Sequence, residues 1–373
     1  MALAESPRFL VVHTAGDGMT RWSVALAETI SFAISNNLTM VEPCVQNGRI
    51  QPCEGEALAA AARRDAAAPS DAARALGTPG ALRPLSAYRN ATAQFRALFP
   101  QLAHFLMPYT EFLRDWNGEA LLQQSRLVCA AYMSSAGCNQ SYQRNVWSDH
   151  IVGNSKEQRR PQALLRRVRG QPVLRLYYLR TGFFERNRSL MGRIYQGLST
   201  FAPALEAVAA TLPAALGLQP GYFAYHWRSE KKCHNYDGCS RQLLATKRRL
   251  EESHADARRR ALLISDISAT NQSLWGGMSI GGHLHSVALR DGASTALHRL
   301  LHANMTKLET LPEMANVDSG ALSVLDLLLG ARAGFLVTCA SQHAPCARTC
   351  AWVGGYANTL RVLRRGRNMT YEW

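Results

Sequence analysis

The run "FLVVHTAGDGMTRWSVALAETISFAISNNLTMVEP", residues 9–43, decides the fold. "FLVVHT" is short, continuous and β-branched, the pattern of a buried strand. "AGDG" is a glycine turn. "MTRWSVALAETISFAISNN" then places Trp22, Leu26, Ile30, Ala33 and Ile34 on one helical stripe. "LTMVEP" returns as a strand. Strand, glycine turn, helix and strand make a βαβ unit, which requires a parallel sheet and a right-handed crossover. Such sheets bind ligands at the carboxyl ends of their strands. The Gly16-Asp17-Gly18 turn lies at such an end.

The alternation continues down the chain. "PVLRLYYL" (172–179) reads as a strand, and a helical stretch follows that breaks near Pro203. "GLQPG" (217–221) is turn chemistry and marks a domain boundary. Beyond it, "YFAYHWR" (222–228), "ALLISDIS" (261–268) and "GFLVT" (334–338) read as strands, the last behind the helical "SVLDLLLGARA". With 373 residues, 47% of them hydrophobic, the chain has material for two cores. The expectation is an α/β protein of two Rossmann-like, doubly wound domains, residues 1–218 and 219–373, facing across a cleft. The alanine-rich stretch 54–83 reads as a surface insertion, helical or irregular, without chemistry of its own.

Seven N-x-[ST] sequons occur, at Asn37, Asn90, Asn139, Asn187, Asn271, Asn304 and Asn368, among only fifteen asparagines. Chance would give about two at ordinary Ser and Thr usage. The excess points to the lumen of the endoplasmic reticulum or Golgi. Nine cysteines agree. Cys44 and Cys53, Cys129 and Cys138, and Cys233 and Cys239 read as local disulfides, and Cys339, Cys346 and Cys350 as one more with one left over. No C-x-x-C pair is present, which argues against zinc. "MALAESPRFLVV" has neither the basic start nor the apolar run of a leader, so a leader or anchor is expected to be missing from this chain. No run of eighteen apolar residues occurs, so no membrane span is expected.

The formal charge is +15, and eleven Lys or Arg fall within 156–193. An anionic partner fits the charge. The plainer reading of the run is a solvated basic surface with arginine stems laid on apolar neighbours. RNA-binding aromatic motifs are absent, and the sequons name the wrong compartment for nucleic acid.

"FAYHWRSE" (223–230) closes an apolar strand with His226 and Arg228. Residues i and i+2 of a strand share a face, so both aim at one ligand. A guanidinium there can bridge phosphate oxygens and hold the charge that grows on a departing diphosphate.

Three segments together resemble the GT-B glycosyltransferases of the GDP-fucose protein O-fucosyltransferase superfamily, in order from about residue 9 to residue 345. The opening βαβ run resembles the family's first strand, glycine loop and helix. Its loop often reads E-G-x-N-x-R, and Asp17-Gly18-Met19-Thr20-Arg21 is the matching run here. "FAYHWRSE" resembles the family's H-x-R signature. "DSGALSVLDLLLGARAGFLVTCASQ" resembles its aspartate-bearing helix and phosphate loop, with Gln342 in place of a second serine and His343 where an aromatic is usual.

The resemblance implies inverting transfer of fucose from GDP-fucose to a Ser or Thr hydroxyl of a secretory-pathway protein. Arg228 becomes the essential leaving-group residue, Asp17 the candidate base and Glu230 its runner-up. Gly16, Gly18, Thr20, His226, Asp266, Asp326, Ser341 and Gln342 are placed with the nucleotide sugar, Asp326 on the base and Ser341 on the phosphates. No D-x-D motif is suitably placed for Mg²⁺, so the expectation is metal-independent transfer without a cofactor. The altered "SQH" keeps two alternatives open: another deoxy-sugar nucleotide with a glycan acceptor, or an inactive carbohydrate- or glycoprotein-binding homologue.

Overall fold

The computed structural model describes residues 8–13, 19–53, 55–125, 127–129, 147–150, 165, 168, 170–177, 190–192, 194–195, 200–227, 236–265, 287–338, 359–360 and 363–364. The chain divides into two compact units. One comprises Met1–Ala204 with Asp318–Ala321, the other Leu205–Val317 with Leu322–Trp373.

The first unit opens as the sequence predicts. Strand β1 (Phe9–Val12) leads to helix α1 (Met19–Ser35) and strand β2 (Thr39–Val41), and β1 and β2 pair in parallel. A hairpin follows, β3 (Cys44–Gln46) and β4 (Arg49–Gln51). Its turn is Asn47-Gly48 with φ of 51° and 69°, the left-handed pair that a two-residue hairpin loop requires. Cys44 and Cys53 are joined by a disulfide, the first of the expected pairs. Cys239 is also disulfide-bonded.

The alanine-rich stretch folds as two helices, α2 (Gly55–Ala66) and α3 (Asp71–Leu76). Ser70 caps α3 by accepting from the Ala73 N–H. Arg83, in the two-residue strand β5 (Arg83–Pro84), ties the pair together. Its guanidinium pairs with Asp65 of α2 at 3.1 Å and donates to the carbonyls of Arg74 and Ala75 in α3. A groove of about 690 Å³ runs beside these helices, lined in part by Leu58, Ala61, Asp65, Arg74 and Ser86. Of the predicted site residues that are described, Thr20, His226 and Asp326, none lines it.

Next come α4 (Ala91–Leu98), β6 (Leu106–Met107), α5 (Tyr109–Trp116), α6 (Gly118–Gln123), β7 (Leu127–Cys129), β8 (Trp147–His150) and β9 (Val173–Tyr177). The six-stranded sheet runs β6-β2-β1-β9-β7-β8, parallel at every pairing. All four residues of β1 are buried, as in a parallel sheet covered on both faces. Phe9, Val11, Val41 and Val173 pack with Tyr109 and Phe112 of α5.

In the second unit, α7 (Pro203–Ala215) begins at the proline where the sequence predicts a break. Strand β10 (Phe223–Trp227), helix α8 (Tyr236–Ser253), β11 (Ala261–Ser265), α9 (Val287–His302), β12 (Met305–Thr306), α10 (Ser319–Arg332) and β13 (Phe335–Thr338) follow. The parallel sheet is ordered β12-β11-β10-β13. One face packs Phe223, Tyr225 and Trp227 under α8 and α9 through Leu243, Leu250, Leu297 and Leu300. Each such side chain contributes about 1.5–3 kcal/mol by leaving water. Trp227 is core. The other face meets α10, where a Cβ on Gly330 would come within 2.7 Å of Ile264. Helices on both faces make this unit doubly wound.

Gly334, between α10 and β13, lets two backbones touch. A Cβ there would lie 2.6 Å from the carbonyl oxygen of Gly221, and backbone cannot step aside as a side chain can. Gly334→Ala is expected to destabilise the protein by about 1–3 kcal/mol, read as a lowered urea midpoint. An unchanged midpoint would show that this junction tolerates displacement.

Candidate functional site

The second unit's strands begin apolar and end polar. Phe223-Ala224, Ala261-Leu262 and Phe335-Leu336 start β10, β11 and β13, while His226, Ser265 and Thr338 stand at or next to the carboxyl ends. His226 is paired in register with Ile264 on one side and Thr338 on the other. It is 7% exposed and lies on the face opposite Tyr225 and Trp227. The Thr338 Oγ1 is enclosed and makes no hydrogen bond among the described residues. A buried hydroxyl without a partner costs about 1–3 kcal/mol, so its place at the ligand-binding edge is notable.

Asp326 lies in the third turn of α10, four residues before Gly330 and so on the same helix face. The residue is half-buried, but its Oδ1 is shut away from solvent and has no hydrogen bond among the described residues. Burial pushes the carboxyl up to about 7; Lys307 opposes this and Glu309 adds to it. Lys307 follows the carboxyl end of β12, is almost wholly enclosed, and is paired with Glu309 at 2.7 Å. Lys307 is therefore committed to Glu309, and Asp326 keeps an acceptor oxygen to spare.

The first unit's carboxyl edge carries residues that the sequence did not single out. His13 follows β1, is 8% exposed, and accepts at Nε2 from the Arg175 Nε at 3.1 Å. Burial and the Arg175 charge bring its pKa down to about 3, so the ring is neutral near pH 7. With Nε2 accepting, the proton of the neutral ring sits on Nδ1. Arg175 also donates to the carbonyls of Leu122 and Ser125 at the end of α6. It belongs to the basic run read as a solvated surface, but here it is a half-buried residue of β9. Glu42 follows β2, is 2% exposed, and takes the Ser86 N–H. Burial pushes it up to about 7 against the Ser86 bonds and Arg96.

Of the predicted site residues, His226 and Asp326 stand in the second unit as described. Thr20 lies in the first turn of α1. Gly16, Asp17, Gly18, Arg228, Glu230, Asp266, Ser341 and Gln342 lie outside the described residues. His13 and Arg175 are 162 positions apart, so no local spacing could have joined them. Glu42 carried one available signal, its place at the end of a predicted parallel strand.

No family model and no curated protein matches the chain. Solved structures do. The apo form of POFUT1, a GDP-fucose protein O-fucosyltransferase, matches with a TM-score of 0.51 at 11% identity, covering 100% of this chain and 99% of that one. POFUT1 in complex with GDP matches at 0.51 and 11% identity, covering 97% and 95%. POFUT1 in complex with GDP-fucose matches at 0.50 and 11%, covering 95% and 94%. The chain therefore has the α/β, GT-B type of fold seen in those structures, as its resemblance implied.

Asp326 binds its proton more tightly folded than unfolded, so its contribution to stability is full at low pH and is lost as pH rises toward 7. Glu42 acts in the same direction. His13, depressed, acts oppositely, with its contribution lost as pH falls from about 6.5 toward 3. Asp326→Asn removes one slope alone. Relative to wild type it should gain stability between pH 4 and 7, by at most about 1.4 kcal/mol per pH unit, in urea unfolding. If wild type gains instead, Asp326 is stabilised as the carboxylate.

Proposed function

We propose that the chain transfers fucose from GDP-fucose, without a metal and with inversion, to a Ser or Thr hydroxyl of a secretory-pathway protein. The observation that carries this reading is the fold shared over nearly the whole chain with POFUT1 structures, among them complexes with GDP and GDP-fucose. The polar carboxyl edge of the second unit supports it, with His226 and Thr338 side by side and a spare carboxylate oxygen on Asp326.

In this reading the second unit holds the donor. The Asp326 Oδ1 accepts from the N–H edge of the guanine, to which a carboxylate is complementary. Ser341 and Gln342 meet the diphosphate, with Asp266 beside the nucleotide. Arg228, two residues beyond His226, takes the negative charge that develops on GDP as the glycosidic bond breaks. The first unit receives the acceptor, while Gly16, Gly18 and Thr20 of its glycine loop stay with the nucleotide sugar. Asp17 removes the hydroxyl proton, with Glu230 as the alternative. His13 cannot serve as that base, because a group of pKa about 3 is a weak proton acceptor at neutral pH.

GDP release from GDP-fucose in EDTA, without acceptor, tests the donor half. Wild type should release GDP, and Arg228→Ala should do so about 10²–10³-fold more slowly, the usual loss for one group stabilising developing charge. Calorimetry should show GDP binding retained in Arg228→Ala and weakened in Asp326→Ala. Binding of GDP without release in wild type would replace the transferase with an inactive binding homologue. No binding at all would point to another nucleotide sugar.

A further inference from the structure

Two of the seven sequons occupy the same structural position, one in each unit. Asn37 follows the carboxyl end of α1 and Asn304 that of α9, and each stands just before a strand of a parallel sheet. Both are left-handed, with φ of 53° and 59°. The helix ends call for this conformation, which asparagine tolerates better than other residues with a Cβ. At α1 the Leu38 N–H donates to the Ala33 carbonyl and the Asn37 N–H to the Ile34 carbonyl, the paired bonds of a Schellman cap.

Both asparagines are exposed, while the residues after them, Leu38 and Met305, are buried at 1% and 4%. The chain thus pins each sequon by its middle residue and leaves the amide in solvent. The Asn37 amide makes no hydrogen bond among the described residues. The Asn304 Nδ2 donates to the Arg258 carbonyl at 3.2 Å, and an N-linked sugar would leave one N–H for that bond. Asn90, the third described sequon, lacks this geometry. It is half-buried at the start of α4, with φ of −77°.

Position gives these sites their meaning. Asn37 and Asn304 stand at the amino edges of their sheets. In extended chain, about 16 Å separates Asn37 from Glu42 and about 10 Å separates Asn304 from Lys307, both at carboxyl edges.

We propose that Asn37 and Asn304 carry N-linked glycans, fixed at exposed helix-to-strand corners on the sheet edges away from the candidate site. This rests on the luminal reading of the sequons and is independent of the donor sugar.

The test is secretion of the chain behind a leader from eukaryotic cells. Peptide mapping before and after peptide N-glycosidase should show both asparagines occupied and converted to aspartate on release. Thr39→Val and Thr306→Val break the sequons but keep the left-handed asparagines, and each should lose one glycan mass. Thr39→Ser should keep it. Thr306 is buried against Thr310, so Asn304→Asp is the second variant there, expected to lose the glycan while retaining the turn. GDP release should be unchanged in all of these. A secreted chain with either asparagine bare overturns the assignment. Occupied asparagines without GDP release would instead sink the donor reading and leave the glycan sites standing.

Discussion

Parallel pairing of β1 with β2 and β9, and of β10 with β11 and β13, is the constraint on which the rest depends. A parallel pair cannot close through a tight turn, so every connection must travel back across a face. That return journey buries both faces of the strands and gathers all strand-to-helix turns on one edge. Apolar residues then fill the strand bodies, and only the carboxyl ends are left to carry polar groups. His226, Ser265 and Thr338 in one unit and His13 and Glu42 in the other follow from that division of labour.

The buried polar groups differ in how far they are satisfied. Lys307 has Glu309, and Arg83 has Asp65 and two carbonyls. These pairs are closed, and each holds a junction in place. Asp326 and Thr338 are open, with an enclosed oxygen and no hydrogen bond to it among the described residues. Folding alone does not favour such atoms, since each gives up water without recompense. Enclosed atoms without a hydrogen bond among the described residues also occur in the core, on Tyr225 and Trp227, so it is the setting of Thr338 at a carboxyl edge that sets it apart.

Much of this was legible in the sequence, for identifiable reasons. The opening βαβ unit announced itself because its periodicity changes at a glycine turn. The Cys44–Cys53 bridge could be read because the Asn47-Gly48 turn brings its ends together. The state of residues 54–83 was not settled, since alanine favours helix but offers little apolar surface to show which face is buried. The His13–Arg175 contact was beyond reach for a different reason. It is made by two strands adjacent only in the folded sheet, and Arg175 sits in a run whose other arginines look like surface. Asp326 was legible by resemblance as a residue, but its spare oxygen is a property of packing that no spacing records.

The alanine-rich pair of helices has one more property. Their apolar burial is slight: Ala61 is the only buried residue of α2, and Ala75 and Leu76 are those of α3. Much of what holds them passes through the single guanidinium of Arg83. Beyond that guanidinium, only the half-buried Ala57 and Leu58 of α2 rest on the core cluster, and an element held so lightly opens at low free-energy cost, before the sheet beneath it. Amide hydrogens of these helices should therefore exchange with solvent as one cooperative group, so that this unit of the fold has a breathing motion of its own while the parallel strands stay closed.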